Sequence, residues 1–218
     1  LVFYVDSSIK KSYPRTGTNT FNLASGSLTP TGSIDGSGWE GINPTSSFTF
    51  DGVDDQINLG DYSPSVAPDT GVTFNVWFKI GGAAGTRAYG AIINNWTSAA
   101  SGQYLWIGTK LDDPAEIQVY FDGALKFSFP DQPFQTWKLL TFTHDSDNNI
   151  IGYINGIQTN TSTGAARTIS GETALGYDIN RDNFPFLGEI ASLQIYNRAL
   201  LASDVLQNYN AGKDRFGL

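Results

Sequence analysis

The chain has no cysteine and no methionine, a single histidine, His144, and only four glutamates, Glu40, Glu116, Glu172 and Glu189. Without cysteine no disulfide can staple the fold and no thiolate can act as nucleophile or metal ligand, so stability has to come from buried surface. At 218 residues that is feasible. A chain of this length buries roughly 70% of the surface its unfolded form exposes, and the length is ordinary for one β-sandwich. The absence of methionine means that residue 1 is not a translation start, and a mature form or an excerpt is expected. Basic residues are also scarce: 13 Lys and Arg against 21 Asp and Glu give a net charge of −8. They are scattered, with Lys10–Lys11 the only adjacent pair. Phosphate recognition needs clustered cations, so nucleic-acid binding is not expected. No apolar run approaches the roughly 20 residues of a membrane span. No basic stretch followed by an apolar one opens the chain as a secretory signal would. Charged residues make up only 16% while Gly, Ser, Thr and Asn abound, a mix suited to a turn-rich extracellular β-protein.

What is present is strand-forming sequence. LVFYVD sets Val2, Tyr4 and Asp6 on one face against Leu1, Phe3 and Val5 on the other, the period-two alternation of a half-buried strand. From Ser7 to Pro44, Gly, Ser, Thr and Pro surround isolated Phe21, Leu23, Leu28 and Trp39, which predicts a loop-rich wrap with one short strand. Ser47–Asp51 turns Phe48 and Phe50 inward, and Gln56–Leu59 turns Ile57 and Leu59 inward. GVTFNVWFKI is the cleanest strand, with Val72, Phe74, Val76, Phe78 and Ile80 as an unbroken apolar face. Ala91–Asn95 and Tyr104–Thr109 follow. In IQVYFDGALKFSF, Ile117, Val119 and Phe121 meet Leu125, Phe127 and Phe129 around an Asp122–Gly123 hairpin turn. Strands Trp137–His144 and Ile150–Asn155 flank DSDNN, and Asn155–Gly156 turns the chain again. FPFLGEIASLQIYN predicts a long strand with Leu187, Ala191, Leu193 and Ile195 on the apolar face, its phase broken at Glu189 and Ile190. RALLASDVLQNYNAG then predicts a short helix with Ser203 as N-cap and Gly212 as its stop. The pattern as a whole predicts an all-β protein: a two-sheet antiparallel jelly-roll sandwich with one short C-terminal helix. One domain spans residues 1–218, with a loop-rich wrap over 1–46 and the core sandwich over 47–218.

GEIASLQIYNRALLASDVLQNY resembles the C-terminal signature of LamG-like jelly-roll domains of the concanavalin A-like lectin/glucanase superfamily. FDGVDDQINL is similar to that family's opening hairpin, TFNVWFKI to its first long core strand, and GYINGIQ to its mid-domain hairpin, in the family's order. The opening LVFYVDSSIKKSYP and the closing NYNAGKDRFGL also resemble the edges of such domains in tailed-phage virion proteins. The resemblance implies a curved sandwich whose concave sheet and rim loops host ligands. It also implies a place on a virion surface or outside the cell, with a glycan, a surface protein or other virion proteins as partners. A purely structural capsid or tail decoration domain is the alternative, and a degenerate glycoside hydrolase the third reading.

Candidate chemistry is sparse. The glucanase branch places acidic residues two apart on one strand, because a retaining pair needs carboxyls about 5 Å apart. None of the four glutamates here has an acidic residue two positions away. A catalytic Asp–His–Ser set would depend on His144 alone. The chain is therefore expected not to be an enzyme. DSDNN begins like a calcium loop, but Ile150 stands where an EF-hand needs glycine, so it reads as a polar hairpin turn. In YDINRDN, Asp178, Asn180 and Asp182 at alternate positions can turn three oxygen ligands inward, which suits Ca²⁺, although Arg181 lies among them. By the resemblance this loop lies where pentraxins carry calcium and ligand. FDGVDD offers Asp51, Asp54 and Asp55 as a second ion site or a plain Asp–Gly turn. The family's frequent acids after Gly188 are replaced by Ala191 and Ser192. Sugar binding needs aromatic platforms beside polar groups. Trp77 opposes the apolar face of its strand, and Tyr104 and Trp106 share a face. The residues singled out as a rim-loop ligand site are Trp96, Tyr177, Asp178, Asn180 and Asp182.

Overall fold

The computed structural model describes residues 1–24, 32–41, 45–61, 71–82, 89–96, 104–110, 115–164, 172–178 and 183–218. The strands are β1 (Phe3–Asp6), β2 (Asn19–Thr20), β3 (Gly32–Asp35), β4 (Gly38–Glu40), β5 (Ser47–Asp51), β6 (Gln56–Asp61), β7 (Val72–Ile80) and β8 (Tyr89–Trp96). Then come β9 (Tyr104–Lys110), β10 (Ala115–Phe121), β11 (Ala124–Gln132), β12 (Trp137–His144), β13 (Asn149–Ile154), β14 (Ile157–Thr163), β15 (Glu172–Leu175) and β16 (Leu187–Tyr196). Helix α1 (Ala202–Gly212) and a 3-10 turn, Lys213–Phe216, close the chain. The strands form two eight-stranded sheets. The first runs β14-β13-β12-β7-β16-β5-β4, with β1 also paired to β16. The second runs β11-β10-β9-β8-β15-β6-β3-β2. This is the antiparallel sandwich the sequence predicts.

Alternation decides which face of each strand is buried. Val72, Phe74, Val76, Phe78 and Ile80 of β7 enter one core with Phe48, Phe50, Ile57, Leu59, Ile107, Ile117, Val119 and Phe142, drawn from both sheets. At about 25 cal/mol per Å² this shared apolar surface is the main source of stability in a chain with no disulfide. The Asp122–Gly123 and Asn155–Gly156 turns have positive φ at both residues (54° and 72°, 53° and 79°), the backbone that lets a two-residue loop follow the twist of a hairpin. In DSDNN, Asp145 Oδ1 accepts from the Asp147 and Asn149 backbone N–H groups at 2.9 and 2.8 Å, as expected of a polar turn.

Four expectations are corrected. Among the described residues, the stretch after Ser7 holds three short strands, not one, and they extend both sheets: β2 and β3 the second, β4 the first. Along β16 the register against β7 slips between Ile190 and Ser192, so Ala191 is the extra residue of a β-bulge. The slip puts Ile190 into the main core and turns Ala191 to the outer face, against Trp77 and Leu139. A second bulge, at Lys126 of β11 opposite Val119 and Tyr120, leaves Leu125 47% exposed. The helix begins two residues earlier than Ser203 as N-cap suggests. Leu201, in extended conformation, is its N-cap, and Asp204 accepts from the Leu201 N–H and from Arg198. The α-helix does end at Gly212, and the chain then tightens into the 3-10 turn, which ends at Gly217, φ 72°.

The helix and 3-10 turn lie on the outer face of the first sheet. Trp77 stacks on Tyr209 with centroids 5.9 Å apart and meets Phe216 at 4.6 Å, and Trp137 stacks on Phe216 at 4.3 Å. The outer face of the second sheet carries no helix among the described residues.

Candidate functional site

The second sheet's outward positions are set by its register. Asn94 of β8 pairs with Trp106 of β9, and Trp106 with Tyr120 of β10, so three outward side chains form one row across adjacent strands. In the next row Gly108 pairs with Gln118. Gly108 is there for space: a side chain at that position would collide with the Trp106 ring, which lies across it. Trp106 is ringed edge-on by Tyr120 at 5.7 Å, Tyr89 at 6.4 Å and Phe184 at 6.4 Å, while Tyr89 meets Phe184 at 5.9 Å. Phe184 reaches this cluster from the start of the closing segment, through a residue with φ 59°.

Three polar side chains on β8, β9 and β10 of this face are more than nine-tenths buried: Asn94 at 1% exposed, Trp106 at 6% and Gln118 at 7%. Each keeps one atom without a hydrogen-bond partner: Asn94 Oδ1, Trp106 Nε1 and Gln118 Oε1. Leaving a buried polar atom unpaired costs about 1–3 kcal/mol. Three such atoms on neighbouring positions of three strands are a concentration that an outside hydrogen-bonding group would relieve. Two are acceptors and one is a donor, with aromatic rings beside them.

The predicted rim residues divide. Asp178 lies at this face. It is 1% exposed and accepts a 2.8 Å hydrogen bond from Asn94 Nδ2, which aligns the Asn94 amide and holds the carboxylate on a neutral partner. Its backbone pairs with that of Asn183 at 3.1 and 3.4 Å. Tyr177 instead borders a cleft of about 160 Å³ with Asp35, Gly36, Asp54 and Gln56. Trp96 ends β8 opposite Tyr104 and Glu172, and its side chain lies outside the described residues. Asn180 and Asp182 also lie outside the described residues. Sequence reasoning missed Asn94 and Gln118 as site residues. The signal for Gln118 is a lone amide at an outward position between core residues, Ile117-Gln118-Val119; Asn94, followed by Asn95, has no such signal.

At the β5–β6 turn the carboxylate oxygens of Asp51, Asp54 and Asp55 come within 4.8 Å of one another. Asp55 is 8% exposed, and its Oδ2 accepts from the Asp51 N–H at 2.8 Å. Burial raises the Asp55 pKa, and the charges of Asp51, Asp54 and Asp35 add to the rise against the lowering by that hydrogen bond. These oxygens are the described set that could hold a hard cation. The single histidine is buried at the end of β12, with Nε2 3.2 Å from the Gly164 carbonyl and its ring against Phe121. Glu189 is paired with Lys79 and accepts from Ser47 at 2.6 Å, and Glu172 accepts from Asn58 at 3.1 Å.

A laminin-G-type family model, described as Concanavalin A-like lectin/glucanases superfamily, matches residues 51–206. No curated protein matches the chain. Among solved structures, domain 4 of AbnA, a GH43 extracellular arabinanase from Geobacillus stearothermophilus in complex with arabinotriose, has a TM-score of 0.67 at 16% identity, covering 95% of this chain and 97% of that one. The botulinum neurotoxin serotype G binding domain has a TM-score of 0.65 at 16% identity, over 83% of this chain and 46% of that one. Trypanosoma rangeli sialidase in complex with sialic acid has a TM-score of 0.70 at 12% identity, over 99% of this chain and 33% of that one. The chain thus spans about half of the toxin domain and a third of the sialidase. At these identities the likeness is one of fold.

Proposed function

This chain belongs to the concanavalin A-like lectin/glucanases superfamily, and from that premise we propose that it is a non-catalytic module that binds glycans on the outer face of its second sheet. The observation that carries the reading is the set of three buried, unpartnered polar atoms on Asn94, Trp106 and Gln118 beside an aromatic cluster. A sugar hydroxyl donates and accepts, so one saccharide can serve both the Trp106 N–H and the two amide carbonyls. Its C–H face suits the faces of aromatic rings, and Tyr89, Tyr120 and Phe184 supply such rings at this site. Asp178 acts at one remove, by holding the Asn94 amide. The arabinanase domain and the sialidase were solved with sugars bound, which supports carbohydrate as the ligand class.

The absence of catalysis is part of the proposal. Glu172 and Glu189 are tied into the sheets by hydrogen bonds or an ion pair, and His144 faces a carbonyl and a phenyl ring. Calcium is part of it too, at Asp51, Asp54 and Asp55 rather than at Asp178, whose carboxylate is already held by an amide. An extracellular or surface location follows from the same reading. No helix among the described residues is long and apolar enough to cross a membrane.

The test is a glycan array probed with the whole chain, followed by titration of each hit. Retention of a defined oligosaccharide family supports the reading. An array with no glycan retained overturns it in favour of a purely structural decoration domain of a virion or other surface assembly.

A further inference from the structure

The outer face of the first sheet holds a second pocket, of about 360 Å³, between the sheet and the C-terminal helix. That volume lies at the small end of the range for small-molecule sites. Its floor is two rows of outward residues from three adjacent strands. Asp6, Ser192 and Trp77 face one another across β1, β16 and β7, and Tyr4 and Gln194 stand in the next row. The β-bulge at Ala191 sets this floor, because the register slip is what brings Ser192 opposite Trp77. Asn208, Ala211 and Arg215 form the roof.

The charges in the pocket cancel. Arg215 Nη1 donates to both Asp6 carboxylate oxygens at 3.0 and 2.8 Å, and Arg215 Nη2 donates to the Ser46 carbonyl at 2.8 Å. Tyr4 donates to Asp6 at 2.9 Å; burial, then the Asp6 charge and this hydrogen bond, raise its pKa and keep it a neutral phenol. What remains is neutral hydrogen-bonding capacity with no partner. The Ser192 hydroxyl and the Trp77 indole N–H bond to no described residue, although their side chains are only 6% and 7% exposed. Gln194 accepts on Oε1 from Asn75 and Tyr196, both at 3.4 Å, which leaves its NH₂ donors unused. Asn208 donates to the Tyr196 hydroxyl at 3.3 Å and keeps its carbonyl. Arg215 Nε is buried and unpaired.

We propose that this pocket binds an uncharged, polyhydroxylated ligand of monosaccharide size. Mixed donors and acceptors suit hydroxyl groups, which do both. The cancelled Asp6–Arg215 charge gives an anion or a cation no net attraction, and Trp77 and Phe216 add apolar surface to the pocket lining. The site is on the sheet opposite to Trp106, and the inference stands without the glycan reading of that face.

The five Trp indole N–H groups give five cross-peaks in a ¹H–¹⁵N spectrum, and the Trp77 and Trp106 signals are assigned by Trp77→Phe and Trp106→Phe. The probes are glycerol, glucose, galactose and N-acetylglucosamine, each taken to about 100 mM, well above the millimolar affinity of a small weak ligand. The expected result is saturable movement of the Trp77 signal with at least one sugar. Ser192→Ala should weaken it about tenfold, the loss of one hydrogen bond. Ala211→Trp, at an exposed position on the rim, should abolish it without burying anything new. A Trp77 signal that no probe moves overturns the inference, as does movement unchanged in both variants. A sugar that moves only the Trp106 signal overturns it while supporting the proposed function.

Discussion

Gly212 of the helix rests edge-on against the Trp77 indole: a Cβ on Gly212 would stand 2.9 Å from Trp77 Nε1 and 3.1 Å from Cε2 and Cζ2. Trp77 is sandwiched among Tyr209, Phe216 and the sheet, so it cannot retreat. Gly212→Ala should therefore cost about 1–3 kcal/mol of overpacking, despite the better helix propensity of alanine. Thermal melts should show a Tm a few degrees lower, with the main core intact. An unchanged Tm would show that the helix shifts freely on the sheet.

The Arg215–Asp6 pair fastens the end of the chain to its first strand. Both side chains are well buried, at 14% and 5% exposed. Arg215→Met leaves Asp6 charged without its counter-ion; losing one partner of a buried pair typically costs about 3–5 kcal/mol, and the hydrogen bonds from Tyr4 and Ser8 hold the loss to the lower end. Urea denaturation of Arg215→Met, Asp6→Asn and the double variant checks it: the double variant should recover much of the loss, because removing both charges removes the desolvation penalty. Additive losses would mean that the two residues act separately.

Lys138 makes stability depend on alkaline pH. Its side chain is 4% exposed, and Nζ donates to the Pro133 and Thr136 carbonyls at 2.9 and 3.3 Å. Burial lowers its pKa from 10.5 to about 8. Between those values the unfolded chain holds more protons than the folded one, so stability rises with pH. Burial acts oppositely on Tyr13, Tyr153 and Tyr196, raising their pKa above 10, so their contribution is full below pH 10 and is lost above it. Urea melts should show stability climbing from about pH 8 toward pH 10 and then turning down, with Lys138→Met flat over the climb.

The three carboxylates at the β5–β6 turn repel one another unless a cation joins them. The Tm in calcium should exceed the Tm in chelator, by a few degrees if calcium is at a hundredfold excess over Kd. Asp54→Asn should raise the chelator Tm and close the gap. Asp178→Asn should leave the gap as it is, since an amide oxygen there can still accept from Asn94. Equal melts in calcium and chelator remove the ion from the account.

Most of the sandwich is legible in the sequence because strand periodicity and turn chemistry are local. The apolar face of Val72 to Ile80 and the Asp122–Gly123 and Asn155–Gly156 turns appear as read. Bulges are not local: Ala191 reads as core by alternation, yet one extra residue reverses the phase, so that Ile190 is core and Ala191 underlies the helix. The broken phase at Glu189 and Ile190 was the visible trace of that slip. Trp77 illustrates the same limit, since its outward position is legible but the helix that covers it returns from the far end of the chain. The candidate site is less legible still. Trp106 stands out by type, but Asn94 and Gln118 matter only because pairing of β8, β9 and β10 puts them beside it. Asp178 reads as a ligand from its loop, while its burial against Asn94 comes from contact with β8, 84 residues earlier.

The most direct test of the central claim is calorimetric titration of the best array glycan into the parent chain and into Gln118→Ala. Gln118 Oε1 has no protein partner, so its removal breaks no protein hydrogen bond and relieves one unpaired buried acceptor, while weakening binding about tenfold, the value of one hydrogen bond. Equal affinity in the two proteins would contradict the account and move the sugar away from the Asn94–Trp106–Gln118 face.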